Sequence, residues 1–320
     1  MPDLHGSIKG DDWSTDNIIR KLPCPSDRYG SERYDMNKKT GLVMEGGAMR
    51  GIFTAGVLDV LMEHNITDFD GAIGISAGAC FGINIKSRQH GRTIRYNLRF
   101  AKDWRYRSIR SLIRTGDLYG VDFCYYQLPG ELDRFDNEAF IKNPMDFYVG
   151  CTDLNTGLPV FRKLTTGLGE DLDWIRASAS MPLVSKPVKI RDWTLLDGGI
   201  SDAVPLAFME KKGYGRNVVI LTQPIEYRKK PQSHMGTVRR LLADYPAVIQ
   251  AIETRYRRYN REIAYIRKRE RDGDVFVIRP PKALSISSTE HDPMELIRVY
   301  ETGRETMSSE IDRLRDFLGK

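Results

Sequence analysis

Histidine and cysteine are both scarce in this chain, and the scarcity narrows its chemistry. The 320 residues hold five histidines, His5, His64, His90, His234 and His291, and none stands in a glycine-flanked strand-end context of the kind that presents a catalytic base. Each reads as a surface residue. The four cysteines, Cys24, Cys80, Cys124 and Cys151, are widely spaced and form no CxxC pair, which argues against a zinc site or a secreted disulfide framework. Buried or idle thiols are expected, with no metal and no cofactor. No stretch approaches the roughly 18 apolar residues that a membrane span needs. The first residues are polar and charged and lack the basic-then-apolar order of a signal peptide, so a cytoplasmic protein is expected.

What the chain does have is 41% hydrophobic content, enough for a large core, and a basic balance of +6 with a pI near 9.0. With 29% charged residues the surface carries both signs, so anionic partners are favoured. Nucleic acid is not expected among them.

Residues 1–40 show neither helical nor strand periodicity and read as an N-terminal extension. At residue 41 the character changes. Apolar residues 41–44 precede a glycine cluster and then helical spacing over 51–63, which predicts strand, tight loop and helix. The order repeats at once in residues 72–75, the turn Ser76-Ala77-Gly78, and a small-residue helix over 79–85. Two such units in series predict a parallel sheet. Residues 147–151 and 158–163 flank Asn155-Thr156-Gly157 as a hairpin, 194–196 lead into Asp197-Gly198-Gly199, and 218–222 form another buried strand. Beyond Pro224 come a helix over 246–271, a short strand at 275–278 and a final amphipathic helix over 293–317. The expected fold is therefore α/β, a mixed and mainly parallel central sheet with helices on both faces. A core at 41–225 would carry a mainly helical C-terminal part at 226–320.

Gly74-Ile75-Ser76-Ala77-Gly78 is a GxSxG between a predicted strand and a predicted helix. A serine on such a turn needs neighbours without bulk, and the following helix start offers free N–H groups to a developing oxyanion. The same glycines would also serve a purely structural turn. Glu45-Gly46-Gly47-Ala48-Met49-Arg50-Gly51 supplies a second set of bare N–H groups that could meet a substrate carbonyl. A dinucleotide loop would need glycine where Ala48 stands, and no GK[ST] follows. Arg50, inside this loop, could meet an anionic headgroup or pair with Glu45. A serine needs a proton acceptor, and Leu195-Leu196-Asp197-Gly198-Gly199 puts a carboxylate at a strand end with space beside it. A direct Ser76–Asp197 dyad is sterically reasonable.

These three segments, in this order, resemble the oxyanion loop, nucleophile elbow and DG[GA] motif of the patatin-like phospholipases. The weaker matches Thr152-Asp153-Leu154-Asn155-Thr156-Gly157 and Ala177-Ser178-Ala179-Ser180-Met181-Pro182 extend the resemblance over residues 41–222. It implies a fold related to cytosolic phospholipase A2, and a Ser76–Asp197 dyad that cleaves lipid-like acyl esters without histidine or metal. It also implies oxyanion donors in the backbone of Gly46, Gly47 and Ala48, assisted by Ala77. One departure is Ala48, where the family carries a third glycine.

Two basic, aromatic-rich stretches, residues 86–114 and 255–271, would suit peripheral contact with an anionic membrane, or would form solvated, salt-bridged helices. The function expected from all this is a phospholipase A or lysophospholipase acting through an acyl-enzyme. The alternatives are an esterase or thioesterase for small acyl groups, and a non-catalytic lipid-binding protein.

Overall fold

The computed structural model describes residues 39–320. The expected extension at residues 1–40, apart from its last two residues, lies outside them, as do His5 and Cys24. The eight strands are β1 (Thr40–Met44), β2 (Gly71–Ile75), β3 (Asp146–Asp153), β4 (Pro159–Leu164), β5 (Val188–Ile190), β6 (Trp193–Asp197), β7 (Arg216–Ile220) and β8 (Val275–Ile278). They form one sheet in which β3, β2, β1, β7 and β8 run parallel in that order. Strands β4, β5 and β6 pair antiparallel, which completes the expected mixed, mainly parallel sheet. The hairpin between β3 and β4 closes where Gly157 takes φ 67°.

Alternation along the strands decides which side each residue serves. Leu42, Met44, Ala72, Val218 and Ile220 pack into the larger core on one face; Val43, Ile73 and Val219 pack into the core on the other. The first face is covered by α1 (Gly51–Glu63), α2 (Ala77–Lys86), α3 (Arg92–Arg99) and two C-terminal helices. The seven-residue α4 (Ile109–Thr115) follows α3 in the chain, and α5 (Glu170–Ser178) adds Trp174, Ile175 and Ala177 to the same core. The second face is covered by α6 (Pro246–Arg271), which sets Tyr259, Ile263 and Ile266 against the sheet. Helices α1 and α6 run over the expected residues because each ends where its apolar period stops.

The C-terminal helix expected over 293–317 is two helices, α7 (Pro293–Ser308) and α8 (Ile311–Leu318). The turn at Ser309 and Glu310 redirects the chain so that Ile311, Leu314 and Leu318 enter the core and Phe317 meets the Phe276 ring on β8. One continuous helix could not follow that corner, because its apolar stripe would leave the sheet.

Helix α7 crosses α1 at very close range. A Cβ built on Gly303 would lie 2.1 Å from the Phe53 carbonyl oxygen, and one on Gly56 2.2 Å from that of Tyr300. Backbone on both sides leaves nothing flexible to yield. Gly303→Ala is therefore expected to lower unfolding free energy by about 1–3 kcal/mol, read from urea melts by circular dichroism. A change within about 0.5 kcal/mol would show that the two helices can slide apart without loss.

Candidate active site

Strand β1 lies where the strand order reverses, with β2 and β3 on one side and β7 and β8 on the other. The C-terminal ends of β1, β2 and β7 therefore open onto one crevice, the usual ligand position of open α/β sheets. Ser76 occupies the turn between β2 and α2 with φ 54° and ψ −123°. That conformation costs about 1–3 kcal/mol for a residue with a Cβ. Its neighbours permit no bulk: a Cβ on Gly74 would lie 2.4 Å from the Gly78 carbonyl oxygen, and one on Gly78 2.5 Å from that of Met44. The turn is held from below by Ser178 of α5. Its Oγ accepts from the Ser76 N–H at 2.9 Å and donates to the Gly150 carbonyl at 2.6 Å.

Asp197 ends β6 and is 2% exposed. Its N–H donates to the Ser180 carbonyl at 2.9 Å and its Oδ1 accepts from the Gly199 N–H at 2.7 Å. Oδ2 is buried and has no hydrogen-bond partner among the described residues. No well-aligned bond joins it to Ser76, yet the hydroxyl is close enough to help stabilise the carboxylate charge. Burial outweighs that help and the contributions of Arg255, Gly199 and Lys229, so the carboxyl sits above its ordinary pKa.

The loop after β1 hangs on Glu45, a second buried carboxylate. Its Oε2 accepts from the Thr222 N–H at 2.6 Å and the Thr222 hydroxyl at 3.2 Å, while Oε1 accepts from the Tyr259 hydroxyl of α6 at 2.8 Å. Both oxygens are thus engaged, and Glu45 is not the partner of Arg50. Gly46 packs directly against Ser76. Ala48 stands at φ 47°, so the position that resembles a family glycine is a left-handed one that alanine occupies under strain. The N–H groups of Gly47, Ala48 and Ala77 donate to no acceptor among the described residues.

Ser76, Asp197, Gly46, Gly47, Ala48, Ala77 and Arg50 all line one cavity of about 550 Å³. Away from Ser76 its wall is apolar, with Phe81, Tyr96, Leu118, Leu128, Phe135 and Ile175. Cys80 also lines it, its thiol pushed up to about 12 by burial. At the Ser76 end the wall is cationic. Arg50 has a buried Nε without a partner, Arg255 donates from Nε to the Gly199 carbonyl at 2.6 Å, and Lys229 lies 4.6 Å from the Tyr259 ring centre. Burial, then the charges of Arg255 and Arg50, bring Lys229 down to about 8. Sequence reasoning missed Lys229, Arg255 and the tie made by Ser178. The two cations belong to no motif, and only the weak match around 177–182 pointed at the serine.

Other candidates lie elsewhere. Asp153 turns its carboxylate onto the Asn155 and Thr156 N–H groups and the Thr156 hydroxyl, closing its own turn. His64, His90, His234 and His291 are exposed and outside the cavity. Among the described residues no group of three or more His, Cys, Asp or Glu could hold a metal ion. Most of the basic stretches are used internally. Arg92 and Arg95 pair with Asp133, Arg105 with Asp103 and Arg269 with Glu210, while Arg258 donates to the Ile200 carbonyl.

Residues 42–209 match the sequence model described as "Patatin-like phospholipase", and residues 245–319 match "Domain of unknown function (DUF6363)". The chain is 31% identical over 256 residues to the uncharacterized protein YjjU of Escherichia coli (strain K12), covering 77% of this chain and 70% of that one. It is 27% identical over 203 residues to the lysophospholipase nte1 of Aspergillus oryzae, covering 62% of this chain but only 12% of that much longer protein. The crystal structure of VipD from Legionella pneumophila aligns with a TM-score of 0.44 at 13% identity, over 86% of this chain and 67% of that one.

The raised pKa of Asp197 has a consequence for stability. Because folding raises it, the folded chain holds this proton more tightly than the unfolded chain does. The resulting stabilisation is full below the ordinary value of 3.8 and is lost as pH rises through the higher folded value. Asp197→Asn removes the buried charge and is expected to melt at pH 7 at or above the wild-type temperature in calorimetry. A markedly lower melting temperature would mean that Arg255 and Lys229 stabilise the charge by more than burial costs it.

Proposed function

The chain belongs to the patatin-like phospholipase family and with it to the lipid ester hydrolases, and we propose that it cleaves lipid acyl esters through an acyl-enzyme on Ser76 with Asp197 as the base. The observation that carries this reading is the buried, unpartnered Oδ2 of Asp197 beside a serine held in a strained turn. A carboxylate oxygen with no donor of its own is free to take the Ser76 proton. Its raised pKa makes it a stronger base than an exposed aspartate.

In the first half-reaction Ser76 Oγ attacks the ester carbonyl carbon as its proton passes to Asp197. The carbonyl oxygen becomes an oxyanion held by the N–H groups of Gly47, Ala48 and Ala77, none of which needs to leave a protein partner first. The alcohol departs with the proton from Asp197. Water then attacks the acyl-serine, gives its proton to Asp197, and Ser76 recovers it as the fatty acid leaves. The cavity of about 550 Å³, apolar away from Ser76, suits an acyl chain better than a small acetyl group, which favours a phospholipase or lysophospholipase over a short-chain esterase.

Ser76→Ala is expected to lower kcat by about 10³ or more, leaving only what binding and the oxyanion donors supply. It should also abolish labelling by a serine-directed phosphonate. The acid limb of the wild-type pH profile should lie above the ordinary aspartate range, with activity lost as pH falls through it. A Ser76→Ala variant with more than a tenth of wild-type activity would sink the assignment.

Peripheral membrane contact is a second part of the proposal, and α4 is the surface that favours it. Ile109 and Ile113, one turn apart, are 72% and 79% exposed, and Arg110 and Arg114 lie over the half-exposed Trp104 ring. Leu118, just beyond the helix, lines the cavity and donates its N–H to the Val184 carbonyl. An apolar face flanked by arginines at a cavity wall suits the headgroup layer of an anionic bilayer. Burying two isoleucines contributes about 1.5–3 kcal/mol each when complete. The double change Ile109→Ser and Ile113→Ser is thus expected to weaken pelleting with phosphatidylglycerol vesicles at least tenfold. Unchanged pelleting would return α4 to the ordinary solvated surface.

A further inference from the structure

The cationic end of the cavity continues into a second, smaller one. This annex, about 290 Å³, shares Tyr227, Lys229 and Arg255 with the main cavity. Its wall presents four basic side chains, Arg228, Lys229, Lys230 and Arg255, together with Gln232 and two tyrosines, and no carboxylate among the described residues. None of these four, nor Arg50, joins an ion pair among the described residues. Three buried acids nearby have places of their own. Glu45 is bonded to Thr222 and Tyr259, Glu262 accepts from the N–H groups of Ala203 and Val204, and Asp197 stands at Ser76.

Like charges gathered in a half-buried wall repel one another, and desolvation adds to the cost. The depressed Lys229 ammonium registers both effects. Such an arrangement is favourable once an anion enters, and two arginines with two lysines are the chemistry that grips a phosphate. The position of the annex matters as much as its charge. Arg255 bonds the Gly199 carbonyl two residues from Asp197, so a group in the annex lies one short linker from an ester at Ser76. The apolar arm of the cavity leads away from the same point.

We propose that the annex is a headgroup subsite for a phosphate-bearing, net-anionic lysophospholipid or phospholipid. Lys229 and Arg255 hold the phosphate, the acyl ester lies over Ser76 and the chain fills the apolar cavity. The proposal rests on the acyl-hydrolase reading and narrows its substrate class. A phosphomonoester or phosphoglycerol headgroup completes the charge of the wall. A choline headgroup would bring its own cation against four others. Neither Lys229 nor Arg255 lies within residues 42–209, so this selectivity would be a property of the C-terminal third of the chain.

The test compares kcat/KM of the full chain on palmitoyl lysophosphatidylglycerol, palmitoyl lysophosphatidylcholine and monopalmitoylglycerol, all in neutral detergent micelles. The anionic lysolipid is expected to exceed the zwitterionic one at least tenfold, and Lys229→Gln to remove most of that ratio. Should Lys229→Gln fail to fold, Lys230→Gln at an exposed position is expected to lower the ratio at least threefold. Free glycerol 3-phosphate, tested as an inhibitor of monopalmitoylglycerol hydrolysis, separates a lipid headgroup site from a free-phosphate site. Inhibition by it without any preference among the lysolipids would overturn the headgroup assignment. Equal kcat/KM on all three substrates, or a preference untouched by both substitutions, would overturn the subsite and leave the hydrolase reading standing. No hydrolysis of any of the three, with no phosphonate labelling of Ser76, would remove both.

Discussion

Strand β3 offers one edge to two partners in turn, β2 up to the pair Ile75–Gly150 and β6 from the pair Cys151–Asp197 onward. Strand β4 occupies the opposite edge along Phe147 to Thr152, so β2 and β6 have no other edge to share. The positions of the Ser76 turn and of the Asp197 carboxylate follow from that hand-over. Ser76 leaves the sheet at the register position that Asp197 takes over, so the two side chains meet because one strand ends where the other begins. At the same point the Gly150 carbonyl accepts from Ser178, and a Cβ on Gly198 would lie 2.2 Å from its oxygen. The strain in Ser76 persists because sheet register on one side and helix α2 on the other leave the turn nowhere to relax.

Two buried carboxylates only a few residues from Ser76 in space show how surroundings divide roles. Glu45 has both oxygens satisfied, by a backbone N–H, a threonine hydroxyl and a tyrosine hydroxyl, and it fixes the loop that presents Gly47 and Ala48. Asp197 has one oxygen satisfied and the other bare. Burial raises the Asp197 carboxyl above its ordinary value. A fully bonded carboxylate is a structural anchor, whereas a half-bonded one retains the capacity to accept a proton.

Much of this was legible in the sequence, for a physical reason. A parallel sheet puts chemistry at strand ends, where tight turns demand glycine, so Gly74, Gly78, Gly198 and Gly199 marked the positions of Ser76 and Asp197, and Gly46 and Gly47 marked the loop after β1. The helices 51–63 and 246–271 were legible because their apolar periods are uninterrupted. The corner at Ser309 was not, since neither glycine nor proline marks it and the apolar spacing continues across it. Lys229, and the place of Arg255 at the cavity, were invisible for another reason. A basic side chain on a loop or a solvated-looking helix face has the same local pattern whether it meets water or a cavity, and only the tertiary path decides.

That path is set by one face of α6. Arg255, Tyr259 and Glu262 recur at helical spacing with Arg258 beside them, and all four point into the same end of the sheet. Tyr259 holds Glu45 and through it the loop after β1. Arg255 and Arg258 hold the carbonyls of Gly199 and Ile200, and Glu262 takes the N–H groups of Ala203 and Val204. The two halves of the site, the loop after β1 and the turn after β6, touch different strands of the sheet, and this helix bonds to Glu45 on one side and to Gly199 on the other. The motif residues and the strand register that brings Ser76 to Asp197 lie within 42–209, whereas the side chains of α6 that tether the loop after β1 and the turn after β6 lie in 246–271. Substitutions on this face of α6 would act on the positions of Gly47 and Gly199 without touching the sequence pattern that identifies the family.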